Sequence, residues 1–98
     1  MQHRRYLITD LRADGRSIPS TGGALLVARH DGSDDLDWEL VHRSSEPVRL
    51  AQAPYDLEME GVEGCLRGPA VLVRTDGRSH VFRGAGDLDG FDGRFDYD

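Results

Sequence analysis

Apolar side chains recur at every second residue in short runs of this chain, and aspartyl-glycine or glycine-glycine corners cut the runs apart. That rhythm constrains the fold more than any other feature. Successive side chains of a strand point to opposite faces, so period-two alternation gives a ribbon with one greasy face and one wet face. The stretch YDLEME, residues 55–60, is the cleanest instance: Tyr55, Leu57 and Met59 alternate with Asp56, Glu58 and Glu60. Runs at 5–11, 23–30, 37–44, 65–75 and 79–84 read the same way, with 46–51 as a short extra strand. Asp14-Gly15, Gly22-Gly23, Asp31-Gly32, the stretch 61–64 and Asp76-Gly77 supply the turns between them. The nearest approach to a helix, around Val48, Leu50 and Ala51, is confined by Pro47 and Pro54.

Two hairpins follow. Asp76-Gly77 suits a type I′ turn, which needs positive φ at both central residues. That turn pairs Thr75 with Arg78, Val73 with His80 and Val71 with Phe82. One face then carries Val71, Val73, His80 and Phe82, and the other carries Ala70, Leu72 and Val81. A hairpin apolar on both faces belongs in the middle of a sheet that is covered or closed. Pro69 has no N–H to give a ladder, so it marks the start of regular pairing or a bulge. The second hairpin joins 23–30 to 37–44 across the polar loop DGSDDL and puts Leu25 and Val27 on the face of Trp38, Leu40 and His42.

Strands this short and this regularly spaced predict a single all-β domain over 1–98: a small antiparallel β-barrel of six to eight strands, with a two-layer β-sandwich as the alternative. Closure removes exposed edges that a chain without disulfides would otherwise have to protect. The tail GDLDGFDGRFDYD is expected to turn Leu88 and Phe91 onto one end of the core, with 95–98 either frayed or added as an edge strand.

Composition narrows the setting. The chain has 98 residues and a net charge of −6, with seven Arg against eight acids in residues 1–50 and five against ten in 51–98. An acidic surface repels phosphate, so nucleic acid and anionic membranes are poor partners. The lone Cys65 rules out an internal disulfide framework; it reads as a small buried hydrophobe in a reducing compartment. No run approaches the roughly 20 apolar residues of a membrane-spanning helix. The expected location is the cytoplasm.

Few residues look like chemistry. Of His3, His30, His42 and His80, the last two fall on faces expected to point inward. If they meet, His42 and His80 together with Tyr55 and Trp38 would line an internal pocket, and a histidine there could move a proton at neutral pH. Arg29, Arg43, Arg74 and Arg83 lie on strands and are expected to pair with outward carboxylates such as Glu58 and Glu60. Calcium loops fit poorly. From Asp87, Phe91 stands where the fifth-position ligand belongs and Asp92 where glycine belongs. From Asp31, Leu36 takes the glycine position and His42 the final acid position. No nucleophile elbow, phosphate-binding glycine loop or metal-ligand spacing appears, so neither a cofactor nor a metal is expected.

The sequence therefore points to a non-catalytic binding or accessory module whose partner is itself or another protein. A barrel whose pocket binds or isomerises a small, partly apolar molecule through His42 and His80 is the alternative, and weak calcium binding by the Asp-rich turns is the third reading.

Overall fold

The computed structural model describes residues 1–96. Tyr97 and Asp98, the end of the segment expected to fray or pair, lie outside the described residues. Seven strands follow in chain order: β1 (Gln2–Ala13), β2 (Arg16–Ile18), β3 (Gly22–Arg29), β4 (Asp37–Arg43), β5 (Pro54–Gly61), β6 (Gly64–Thr75) and β7 (Ser79–Gly84). All pairings are antiparallel, in the order β2-β1-β3-β4-β7-β6-β5, and β1 also pairs with β5. Strands β1, β3, β4, β7, β6 and β5 thus close a six-stranded barrel, with β2 as an extra strand on β1.

Closure depends on a long, bent β1. Its first part pairs with β3, from Gln2↔Arg29 to Ile8↔Gly23. The register then shifts between Ile8 and Asp10, and the second part pairs with β5 on the other edge. A bulge of this kind bends the strand and raises its twist. Gly61 sits at the crossing, where a Cβ would lie 2.1 Å from the Leu7 carbonyl oxygen. Only glycine lets the two backbones approach that closely.

The interior consists of rows of cross-strand partners. Tyr6, Leu25, Leu40, Phe82 and Leu72 form one row around the barrel. Ile8, Gly23, His42, His80 and Thr75 form the next, and Arg4, Val27 and Trp38 lie on the other side. Leu57, Met59, Leu66 and Ala70 close the circle, and Leu88 and Val48 cover the ends. A six-stranded barrel is narrow enough for its own side chains to fill.

The β3–β4 register is the expected one: Leu25 faces Leu40, Val27 faces Trp38, and all are buried with His42. The β6–β7 register is not. Thr75 pairs with His80, Arg74 with Val81 and Leu72 with Phe82. Asp76 and a bulge at Val73 together explain the difference. Its carboxylate accepts the N–H groups of Arg78 and Ser79, and its own N–H donates to the Ser79 carbonyl. The result is a four-residue connection in which Gly77 has φ 97° and Asp76 has no positive φ. Val73 then bulges out of the ladder, 45% exposed, while Ala70 and Leu72 turn inward beside His80 and Phe82. Leu72→Ala is therefore expected to cost about 2–5 kcal/mol. Val73→Thr should stay within about 0.5 kcal/mol, as surface changes usually do. Urea unfolding of the two variants separates this register from the type I′ one, which reverses the order.

Two smaller expectations are also corrected, and part of the tail can be placed. Residues 46–51 form no strand; Val48 donates its N–H to the Gly77 carbonyl and covers the barrel end. Cys65 is exposed, because its β6 position faces outward opposite Glu60. Residues 95 and 96 are held against β1, where the Asp96 N–H donates to the His3 carbonyl at 2.6 Å.

Candidate functional site: a buried histidine pair

His42 on β4 and His80 on β7 are direct cross-strand partners. Both are fully buried, and their rings lie nearly parallel, with centroids 6.0 Å apart. Strand alternation aims both inward, and the β4–β7 pairing brings them to the same height in the barrel. Hydroxyls at the strand ends hold them. The Ser20 hydroxyl lies 2.6 Å from His42 Nε2, and the Ser44 hydroxyl 2.9 Å from His80 Nε2. The Thr75 hydroxyl lies 2.8 Å from His80 Nδ1 and also accepts the Gly77 N–H. His42 Nδ1 has no hydrogen-bond partner among the described residues.

Burial pushes both rings toward the neutral form. It lowers the His42 pKa to about 4, with a smaller push from the neighbouring His80. Burial also lowers that of His80, partly offset by the Asp76 carboxylate. A charged imidazole in an apolar interior loses its hydration without gaining a counter-charge. At neutral pH the pair is two uncharged rings tied to three hydroxyls.

The other two residues expected at this site lie elsewhere in the interior. Tyr55 stands edge-on to Phe82, at 6.1 Å between centroids, and its hydroxyl donates to the Ala51 carbonyl. Trp38 lies at the opposite end of β4 from His42. It is pressed against Gly68 and Gly84, and its indole N–H donates to the Gly86 carbonyl. The histidines therefore converge with each other but not with Tyr55 or Trp38. A hollow of about 660 Å³ opens on the outside instead, lined by Asp14, Asp56, Glu58, Asp87 and Asp89 around Arg67 and its neighbours.

The charged surface groups are arranged differently from expectation. Glu58 meets Arg12 at 4.0 Å and stands opposite Arg67 across the β5–β6 ladder, rather than any of the four arginines expected. Arg29 donates to the Gln2 side chain and lies over the Phe95 ring. In the loop before β4, Asp31 takes the N-terminal ammonium and Asp37 pairs with His30. In the tail, Asp92 accepts the Arg94 N–H. Among the described residues no group of three or more His, Cys, Asp or Glu stands ready for a metal ion. No described helix is long and apolar enough to cross a membrane.

Sequence reasoning missed the three hydroxyls. Ser20 follows β2, a strand too short to read, and Thr75 was assigned to the wrong partner by the slipped register. It also passed over the outer wall. Leu7, Ala24, Val41 and Val81 are successive cross-strand partners on the outside of β1, β3, β4 and β7. Leu7 is 63% exposed and Val41 42%, with Leu26 in the adjoining row at 46%. The apolar residues on both faces of these runs were the available signal. No protein-family model, curated protein or solved structure matches this chain.

Proposed function

We propose that the protein is a non-catalytic interaction module whose partner is a second copy of the same chain, joined through the outer wall of β1, β3, β4 and β7. The outward apolar row Leu7–Ala24–Val41–Val81, exposed at Leu7 and Val41 and half-buried at Ala24 and Val81, is the observation that carries this reading. The six barrel strands pair with one another in a closed circle, so support for self-association rests on the face rather than on an edge. Contiguous apolar surface on rigid strands marks interaction sites.

The wall is self-complementary. A two-fold axis lying along the row stacks each of its residues on its own copy, and β4 runs antiparallel to its mate. Glu39 and Arg43 flank Val41 on the same face of β4. The axis sets Glu39 of one copy over Arg43 of the other, twice, as an isologous contact requires. Neither residue has an ion-pair partner among the described residues. The same operation lays Leu26 over Gly22. Four strands at ~4.8 Å spacing make a wall about 15–20 Å wide, which belongs to the small end of the interface size classes. Dissociation in the range of about 10–100 μM is expected, since interfaces of this size sit among the weak ones. A cytoplasmic setting fits the exposed thiol of Cys65, which has no second cysteine in the chain to oxidise with.

Sedimentation across the micromolar to millimolar range tests the reading. The wild type should shift from monomer toward dimer, and Val41→Arg should remain monomeric throughout. Glu39→Arg should weaken the dimer at least tenfold, and adding Arg43→Glu should restore it. A wild type that stays monomeric at millimolar concentration, or a dimer indifferent to Val41→Arg, would rule the wall out.

The pocket reading keeps one observation, the partnerless Nδ1 of His42. It requires a small molecule that shifts the His42 ring resonances on binding.

A further inference from the structure

We infer that the free edge of β1 is a recognition site for an extended polypeptide segment carrying two aromatic rings and a carboxylate, and that residues 91–96 of the chain occupy it in cis. This site is separate from the outer wall, and neither reading depends on the other.

The edge exists because β1 is longer than its partner on that side. β5 pairs with β1 only from Ile8 onward, whereas β3 pairs with β1 from Gln2. Among the described residues, β1 from His3 to Leu7 has no strand beside it on that edge. Backbone groups on such an edge form a template for an added strand. Two contacts of Asp96 with that template lie among the described residues. The Asp96 N–H donates to the His3 carbonyl, and the Asp96 carboxylate accepts the Arg5 N–H at 3.3 Å. A side chain thus stands where a strand carbonyl would be.

Side chains supply the rest of the recognition. Phe91 meets the edge of the Tyr6 ring at 6.4 Å between centroids, and Phe95 meets Phe91 at 5.3 Å. The Arg29 guanidinium lies 4.9 Å above the Phe95 ring, and the Arg4 guanidinium reaches to within 3.9 Å of the Asp96 carboxylate. Gly93, with φ 77°, folds the segment so that both phenyl rings reach the barrel end. The edge offers Arg4, Arg5 and Arg29, and the segment brings Asp92 and Asp96, so the charges are complementary.

A ligand already tethered to its site competes at high effective concentration. A foreign segment with the same spacing of ring, ring and acid binds weakly while the tail is docked and strongly once it is released. The tail is thus an autoinhibitory occupant, and the partner is another polypeptide presenting an equivalent segment.

The test uses a fluorescein-labelled peptide of residues 90–98 and the full-length chain. The Phe95→Ala/Asp96→Ala variant leaves Tyr6, Arg4, Arg5 and Arg29 in place. It should bind the peptide at least tenfold more tightly than the wild type. Arg29→Gln in that background should lose at least threefold, and a peptide with alanine for both phenylalanines should not bind. The near-ultraviolet circular dichroism of Trp38 reports whether the variant is folded. If the double variant unfolds, Asp96→Ala alone serves, with a smaller gain. No saturable binding to the released chain, equal affinity for released and wild-type chains, or equal binding of the ring-less peptide would each overturn the inference.

Discussion

Replacing Trp38 with alanine is expected to lower the unfolding free energy by about 3–5 kcal/mol, as truncation of large buried aromatics does. In a domain of this size that lowers Tm by more than about 12 °C. The indole fills one end of the barrel, and loss of its N–H would take away the donor to the Gly86 carbonyl. The ring fits there only because two strands lack side chains opposite it. A Cβ on Gly84 would lie 2.4 Å from the indole, and one on Gly68 would lie 2.8 Å from it. Gly84→Ala should therefore cost about 2–3 kcal/mol in the wild type, the range of overpacking. In the Trp38→Ala background the clash is gone. Alanine is the better strand residue by about 0.5–1 kcal/mol, so the sign should reverse. Chemical denaturation of the four proteins completes the cycle. Equal costs in both backgrounds would mean that the glycine does not serve the ring.

Acid should destabilise the barrel through His42. Its folded pKa is lowered to about 4, against 6.5 for the free side chain. Between those values the unfolded chain binds the proton and the folded one does not, so stability rises with pH across this window. It is complete above pH 6.5 and is lost as pH falls toward 4. A shift of this size amounts to roughly 3 kcal/mol, at about 1.4 kcal/mol per pH unit. His80, also lowered by burial, adds to the loss in the same direction. Below pH 4 carboxylates such as Asp76, whose pKa is lowered by the Ser79 and Arg78 N–H groups, take over the acid dependence. His42→Gln removes the titrating ring while keeping a polar end for Ser20. Its stability should change less than half as much between pH 6.5 and 4. An unaltered pH profile in that variant would place the acid sensitivity elsewhere.

Part of this structure was legible in the chain. The faces of β3, β4 and β5 follow from alternation alone, because burial of one face fixes the phase of a period-two pattern. That is why Leu25, Val27, Leu40, Leu57 and Met59 could be assigned to the interior. The β6–β7 pairing failed on one side chain and one bulge. Asp76 captures two backbone N–H groups, and this lengthens the connection beyond the tight turn that Asp-Gly suggests. At the turn the partner of Thr75 moves by two residues, from Arg78 to His80, which keeps the faces; the bulge between Leu72 and Arg74 cuts the slip to one, and a slip of one exchanges them, so Val71 and Val73 traded places with Ala70 and Leu72. His42 and His80 were correctly read as inward. Alternation, however, gives the face of a residue and not its height along the barrel. Their contact required knowing that β4 lies beside β7, and the separation of Tyr55 from them required the strand order, whereas that of Trp38 from His42 follows from their places at opposite ends of one strand. The closure by β1 and the docking of residues 91–96 on its edge join segments far apart in sequence, where no local pattern reports.

The outward location of function is tested most directly by recording amide and side-chain NMR shifts of the wild type from about 10 μM to 1 mM, a span that brackets the affinity expected of a small interface. A filled barrel that pairs through its wall should show concentration-dependent shifts confined to that wall, at Leu7, Gly22, Ala24, Leu26, Glu39, Val41, Arg43 and Val81, with the His42 and His80 rings unmoved. Shifts centred on the histidines, or a spectrum that does not change with concentration at all, would contradict it.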